Sequence, residues 1–136
     1  KYNMLERTPE KGLLEVLEKE GVGCIAFSPL SQGLLTNKYL SGIPDNSRAG
    51  KNYGYLWPDD INPSVIHKVT GLNEIAEKRG QTLAQMALSW LLKDFRVTSV
   101  LIGVSSIEQL ENSVNAVNGP EFSAEELKQI GQVLTT

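Results

Sequence analysis

The stretch Val22–Leu35 constrains the fold of this chain more than any other. Cys24 to Phe27 is an apolar run that passes directly into Ser28 and Pro29. A short apolar run without alternation is typical of a strand buried on both faces, as in a parallel sheet. The polar, turn-prone segment from Ser28 to Gly33 follows at the carboxyl end of this strand, where α/β folds bind their ligands. We therefore expect a ligand at this loop.

A second apolar run, Val97 to Gly103, predicts another strand of the same kind. Thr8-Pro9 predicts the start of the first helix, with Thr8 as N-cap and Pro9 in the first helical position. The apolar face of that helix comes from Leu13, Leu14, Val16 and Leu17, and Gly21 ends it. Because a helix precedes each strand, the chain is predicted to be an α/β protein with parallel strands.

The remaining helices are marked by their capping residues. Asn62-Pro63 predicts a helix that continues to Gly80. Capping boxes begin three more helices, at Thr82–Gln85, Ser106–Gln109 and Ser123–Glu126. Helix amino termini favour anions, so the turn from Gly103 to Ser106 is either a phosphate cradle or an ordinary strand-to-helix turn.

Residues 34–62 form a long segment without sustained periodicity, interrupted by glycines and prolines. It carries Lys38 and Arg48 together with several aromatic residues. A loop of this length in a compact domain is usually a functional lid or a mobile surface excursion. Both interpretations are open from the sequence.

Composition excludes several classes of function. The 136 residues carry a net charge of −3 without a basic cluster, so nucleic acid is not an expected partner. The single cysteine, Cys24, excludes an internal disulfide and is expected to be a buried apolar residue. The absence of a long apolar run or a signal-peptide pattern predicts no membrane association and a cytoplasmic protein. Because Lys1-Tyr2-Asn3 opens without a lead-in, we expect a fragment or part of something longer.

The residues alone reveal no catalytic machinery. No nucleophile–base motif, phosphate loop, dinucleotide fingerprint or zinc-protease motif is present in the sequence. His67 lies off its helix's apolar stripe and has no second histidine, so we interpret it as a solvent-facing residue.

Several motifs in order nevertheless resemble the carboxyl-terminal part of the aldo-keto reductases. Residues 21–39 resemble the seventh strand of that family and its loop, and Gly42–Arg48 resembles the loop that follows. Residues 85–92, 98–103 and 108–110 continue the match, which covers essentially the whole chain. The nearest branch contains the bacterial L-glyceraldehyde 3-phosphate reductases and the potassium-channel β subunits. The resemblance implies part of an eight-stranded (β/α) barrel, with about three parallel strands and their surrounding helices.

The resemblance also implies a role in binding NADPH. Phe27 stands where an aromatic ring packs on the nicotinamide, and Lys38 and Arg48 stand where cations approach the phosphates. The implied pyrophosphate loop consists of Ser28, Pro29, Leu30, Gln32 and Gly33. On the adenosine side, Gly103 and Ser105 match a phosphate turn, Gln109 a residue near the ribose, and Asn112 a residue near the adenine. The family's catalytic Asp, Tyr, Lys and His have no counterparts here, so no catalytic residue is assigned.

Departures from the family pattern leave two hypotheses open. The family's adenine-contacting acid–amide pair is replaced by Asn112 and Ser113, and Ser106 stands where a basic or amide residue is common. The first hypothesis is the cofactor-binding portion of an NADPH-dependent reductase of aldehydes or ketones. The second is an inactive fragment that acts as an assembly unit or a weak nucleotide-binding module. Three parallel strands cannot close an eight-stranded barrel, so we expect self-association or association with the missing amino-terminal part.

Overall fold

A computed structural model of the chain describes residues 1–51 and 55–136. Within those residues, two strands pair in parallel, β1 (Cys24–Ala26) and β2 (Val97–Val100). The predicted strands are therefore present and parallel, although both are shorter than their apolar runs. The segment before the first helix is not a strand, but the N–H of Tyr2 donates a 3.3 Å hydrogen bond to the carbonyl oxygen of Phe27, next to β1.

The described part of the chain also contains five α-helices. They are α1 (Leu13–Lys19), α2 (Pro63–Lys78), α3 (Leu83–Leu92), α4 (Ile107–Val114) and α5 (Ala124–Thr135). The main core lies between α2, α3 and α5 and the inner face of the strands. Its most deeply buried side chains include Leu72, Met86, Leu91 and Ile130.

The expectation that β1 is buried on both faces is wrong. Cys24 and Ala26 face the core, but Ile25 points away from it and is 68% exposed. Leu101, directly after β2, is exposed as well. Side chains alternate across a strand, so a sheet that is covered on one side leaves every second side chain in solvent.

The predicted start of the first helix at Thr8 is also wrong. Thr8–Glu10 is a single 3₁₀ turn whose N-cap is Arg7, and α1 begins only at Leu13. Gly12 interrupts the helix because its φ of 106° lies in the left-handed region. Of the apolar residues assigned to the buried face, only Leu14 is buried, while Leu13 and Val16 are exposed.

The other helix boundaries follow the capping signals. The Asn62 side chain accepts from the N–H of Val65, and the capping boxes at Thr82 and Ser123 are both formed. At α4, the Ser106 hydroxyl accepts from the N–H of Gln109, as predicted. The Gln109 side-chain oxygen, however, accepts from the N–H of Ser105 and not from that of Ser106, so the capping box is only half formed.

Arg79, just after α2, ties that helix to the segment before α5. Its side chain is 2% exposed, and the guanidinium forms a 2.6 Å ion pair with Glu126 and donates a 2.5 Å hydrogen bond to the carbonyl of Pro120. It also lies over the ring of Phe122, 3.8 Å from the ring centroid. A planar guanidinium suits this combination of fork-like donors and aromatic stacking.

The described part of the long segment 34–62 is structured, with 3₁₀ turns at Asn37–Tyr39 and Pro58–Asp60. It forms a small second core, whose buried members are Leu34, Tyr39, Ala49 and Leu56. Tyr53 and Gly54, which contribute to the aromatic and glycine content of this segment, lie outside the described residues.

Candidate functional site

The two predicted binding loops leave the sheet side by side. Ala26 pairs with Val100 in the parallel register, and the N–H of Leu101 donates a 2.8 Å hydrogen bond to the carbonyl of Ala26. The loop that begins at Phe27 and the turn that leads to Gly103 therefore start from neighbouring strands at the same edge. This edge is the carboxyl end of the sheet, where parallel α/β folds bind ligands.

The loop after β1 has an unusual backbone. Ser28, Ser31 and Gln32 have φ values of 55°, 47° and 61°, and within the described residues they are the non-glycine residues with positive φ. Gly33 continues the series at 99°. Each side chain held in this region costs about 1–2 kcal/mol. Such conformations persist only where the surroundings enforce them, and they cluster at functional sites.

Inward contacts hold this loop in place. Pro29 is buried, and Leu30 packs against the main core. The carbonyl of Leu30 accepts from the N–H groups of Gly33 at 2.9 Å and of Leu35 at 3.1 Å. Among the hydrogen bonds formed within residues 1–51 and 55–136, none is donated by the N–H of Ser28 or Leu30. Neither group therefore has an acceptor within this part of the chain.

Phe27 presents an apolar surface beside this loop. The ring directly follows β1 and is 50% exposed. An aromatic side chain left half in solvent next to free backbone donors can accept a planar ring against its face.

Two cations follow on the segment after the loop. Arg48 donates to the side-chain oxygen of Gln32, which brings its guanidinium to the strained turn. The turn that carries Arg48 is fixed by the buried Ser47, whose hydroxyl accepts from the N–H of Gly50 at 3.0 Å. Lys38 is exposed on the 3₁₀ turn Asn37–Tyr39, which is capped by Thr36. Positive charge next to free N–H groups favours a phosphate.

The turn after β2 is open and polar. A Cβ at Gly103 would meet nothing within 4 Å, so the surface beside it is unobstructed. The side-chain oxygen of Gln109 accepts from both the N–H and the hydroxyl of Ser105, each at 3.0 Å. Gln109 thus orders the first turn of α4.

Asn112 lies one turn further along α4 and faces the start of α3. Its side chain is 3.3 Å from the hydroxyl of Thr82, the N-cap of α3. Its predicted contact with an adenine stays a prediction, as do the individual ligand contacts of the other predicted site residues.

One residue of this region was missed by sequence reasoning. Asn3 is fully buried, and its side-chain amide donates a 2.9 Å hydrogen bond to the carbonyl of Ser28. The only available signal was a polar residue beside Tyr2 in a segment too short to assign, and nothing in it indicates a partner 25 positions away.

Tyr2 is buried, and its hydroxyl donates a 2.9 Å hydrogen bond to Glu10. Burial, together with the hydrogen bond from its hydroxyl to Glu10, raises the pKa of the Tyr2 phenol above its ordinary value. A raised pKa makes the phenol a weaker proton donor.

Two features are absent from residues 1–51 and 55–136: a metal-ligand cluster and a membrane-spanning helix. The His, Cys, Asp and Glu side chains of these residues form no group of three or more able to hold a metal ion. None of the helices in this part of the chain has the length and apolar character needed to cross a membrane.

Comparison with known proteins defines the family. The sequence profile described as "Aldo/keto reductase family" matches residues 1–135. The chain belongs to the aldo/keto reductase family. The L-glyceraldehyde 3-phosphate reductase of Escherichia coli O157:H7 is 56% identical over 135 residues, covering 96% of this chain and 39% of that protein. A probable voltage-gated potassium channel subunit beta of Arabidopsis thaliana is 38% identical over 120 residues, covering 86% of this chain and 37% of that protein.

A solved structure shows the same fold. The crystal structure of a thermostable aldo-keto reductase in complex with the inhibitor epalrestat superposes with a TM-score of 0.66 at 28% identity, over 98% of this chain and 38% of that one. The predicted fold class, an α/β portion of a (β/α)8 barrel, and the predicted branch of the aldo-keto reductases are both confirmed. This chain spans about two fifths of the length of these relatives.

Proposed function

We propose that this chain supplies the cofactor-binding portion of an NADPH-dependent carbonyl reductase. The observation that carries the proposal is the convergence of the Phe27–Gly33 loop and the Gly103–Ser105 turn at one sheet edge. Family membership supports an oxidoreductase, and the match to L-glyceraldehyde 3-phosphate reductases supports an aldehyde or ketone substrate for the complete enzyme.

The donor set fits a nicotinamide dinucleotide. The half-exposed ring of Phe27 offers a face for the nicotinamide, and the free N–H groups of Ser28 and Leu30 suit the pyrophosphate. Lys38 and Arg48 are available for phosphate oxygens, and the open surface at Gly103 allows close approach of the adenosine phosphate.

The bound cofactor would supply a hydride to the carbonyl carbon of the substrate. This chain's residues would hold the nicotinamide in one orientation and neutralise the phosphates. By resemblance, the tyrosine that protonates the carbonyl oxygen lies on an earlier strand of the barrel, outside the printed sequence. A cytoplasmic location is part of the same proposal.

Parallel titration with NADPH and NADH tests this function. We expect saturable quenching or enhancement of fluorescence with NADPH, and weaker binding of NADH, which lacks the 2′-phosphate. Phe27→Ala should weaken binding of both cofactors, because it removes the nicotinamide platform. Phe95→Ala is the matched control, since Phe95 is 79% exposed and precedes β2, at the opposite end of the sheet.

Absence of binding by the wild-type chain, or equal effects of the two phenylalanine substitutions, would contradict a dinucleotide site at this edge. The first of these results would favour the alternative of an inactive assembly unit.

The uncovered apolar side chains support association with further polypeptide. Besides Ile25 and Leu101, four exposed apolar residues lie along one side of α4 and the turn after it: Ile107, Leu110, Val114 and Val117. Clusters of exposed apolar side chains mark interaction sites. We propose that the amino-terminal portion of an aldo-keto reductase barrel covers these side chains.

Sedimentation measurements on the 136-residue chain test this association. The isolated chain should self-associate with increasing concentration, and a polypeptide that supplies the earlier strands should suppress self-association. A monomer that melts sharply at a temperature independent of concentration would contradict the proposed association.

A further inference from the structure

Asn3 joins two parts of the chain that are distant in sequence. Its side-chain oxygen accepts 2.9 Å hydrogen bonds from the N–H groups of both Leu5 and Glu6. Its side-chain nitrogen donates to the carbonyl of Ser28 at 2.9 Å. The amide is fully buried, so each of these bonds is shielded from water.

The acceptor of that bond is the first left-handed residue of the binding loop. Ser28 has a φ of 55°, and its carbonyl also accepts from the N–H of Ser31, the next left-handed residue, at 3.1 Å. The orientation of this one carbonyl therefore depends on both the left-handed turn and Asn3. The bond from Tyr2 to the carbonyl of Phe27 fixes the preceding peptide unit from the same side.

We propose that Asn3 is a positioning residue that sets the conformation of the Phe27–Gly33 loop for dinucleotide binding. The proposal rests on the proposed cofactor site. Asn3 acts through the carbonyl of Ser28, and the N–H groups of Ser28 and Leu30 then face the cofactor in a fixed arrangement.

A role confined to the local turn is the alternative. The backbones of Asn3 and Glu6 exchange two hydrogen bonds, of 3.1 and 3.2 Å, so the side-chain oxygen of Asn3 could serve only to complete this turn. The two roles use different atoms of the amide. The oxygen accepts from Leu5 and Glu6 in the local turn, whereas the nitrogen donates to Ser28 in the binding loop.

Asn3→Asp distinguishes these roles, because it keeps the acceptor and removes the donor. Asn3→Ser is a second variant that keeps a short acceptor, cannot reach Ser28 and buries no charge. Asn73→Asp is the control, because within residues 1–51 and 55–136 its amide donates only to Glu77, on the exposed side of α2. All variants are made in the 136-residue chain.

The first measurement is amide hydrogen exchange without ligand. In both Asn3 variants the amides of Ser31 and Gly33 should exchange about tenfold faster, while those of Leu5 and Glu6 keep their protection. Asn73→Asp should change neither set. Unchanged exchange at Ser31 and Gly33, or a loss of protection confined to Leu5 and Glu6, would overturn the proposal.

The second measurement is NADPH titration of the same proteins. Loss of one ordering hydrogen bond should weaken NADPH binding about tenfold in the Asn3 variants and leave Asn73→Asp at the wild-type value. Wild-type affinity in the Asn3 variants would overturn the positioning role. If the wild-type chain binds no NADPH, the cofactor site itself is wrong, whereas the exchange result still reports on the loop.

Discussion

Gln32 allows a direct test of the left-handed turn after β1. Its φ of 61° and ψ of 18° lie where a Cβ costs about 1–2 kcal/mol, whereas glycine has no such penalty. On folding, glycine loses roughly 0.5–1 kcal/mol more conformational entropy than alanine. Gln32→Gly should therefore be more stable than Gln32→Ala by about 0.5–1 kcal/mol, because both variants lack the same side-chain contacts.

Gln129 provides the matched control. It lies within α5, where glycine is less favourable than alanine by about 1 kcal/mol. The order of the two variants should therefore reverse between the sites, with Gln129→Gly less stable than Gln129→Ala. The difference between the two pairs amounts to roughly 1.5–2 kcal/mol.

Urea unfolding, followed by circular dichroism, measures this difference. The four variants should share one slope and differ in midpoint, because none changes the surface exposed on unfolding by much. If Gln32→Gly is no more stable than Gln32→Ala while the Gln129 pair behaves as expected, Gln32 is not left-handed in solution.

Three further predictions concern the Arg79 ion pair, the loop around Gly50 and the Tyr2 phenol. Arg79→Lys should lower the free energy of unfolding by about 2–3 kcal/mol, because lysine cannot both pair with the buried acceptors of Arg79 and stack on the Phe122 ring. Arg7→Lys, at a more exposed ion pair, should lower it by less than about 1 kcal/mol. Gly50→Ala should open the loop that carries Arg48 and speed its proteolysis, because the new Cβ would lie 2.3 Å from a backbone carbonyl oxygen. The control, Gly131→Ala in α5, places a Cβ with no atom within 4 Å and should stabilise the protein. Above about pH 10 the wild-type chain should lose stability more steeply than Tyr2→Phe, because a raised folded-state pKa lets the unfolded tyrosine ionise first.

Each of these expectations has a result that contradicts it. Equal losses for the two arginine substitutions would show that burial of the guanidinium does not matter. Unchanged proteolysis of Gly50→Ala, measured by the appearance of cleavage within residues 44–51, would show that the loop tolerates the extra carbon. Parallel alkaline unfolding curves for wild type and Tyr2→Phe would remove the case for a raised Tyr2 pKa.

Local signals predicted the helix boundaries well. Asn62, Thr82 and Ser123 cap their helices as predicted, because a cap needs only its own residue and the next three. Thr8-Pro9 carries the same kind of signal and failed. The left-handed Gly12 lies four positions later and breaks the helix that Thr8 would begin.

Burial was predicted less well than secondary structure. The apolar run at β1 predicted a strand correctly, but Ile25 is exposed. An apolar run indicates that both faces of a strand are suited to burial. It does not indicate which elements, if any, cover each face. Coverage depends on other elements, and within the described residues the sheet has two strands with one packed face.

The conformation of the binding loop is the part that sequence reasoning could not reach. Serine and glutamine have no preference for positive φ, so nothing in Ser31-Gln32 predicts a left-handed turn. The contacts that hold it come from Asn3, 25 positions before Ser28, and from Arg48, 16 positions after Gln32. A strained turn that depends in part on distant partners should be less ordered when either is lost. It follows that the identity of the loop residues alone does not fix the turn, and that this loop sequence grafted without these partners should not keep its left-handed conformation.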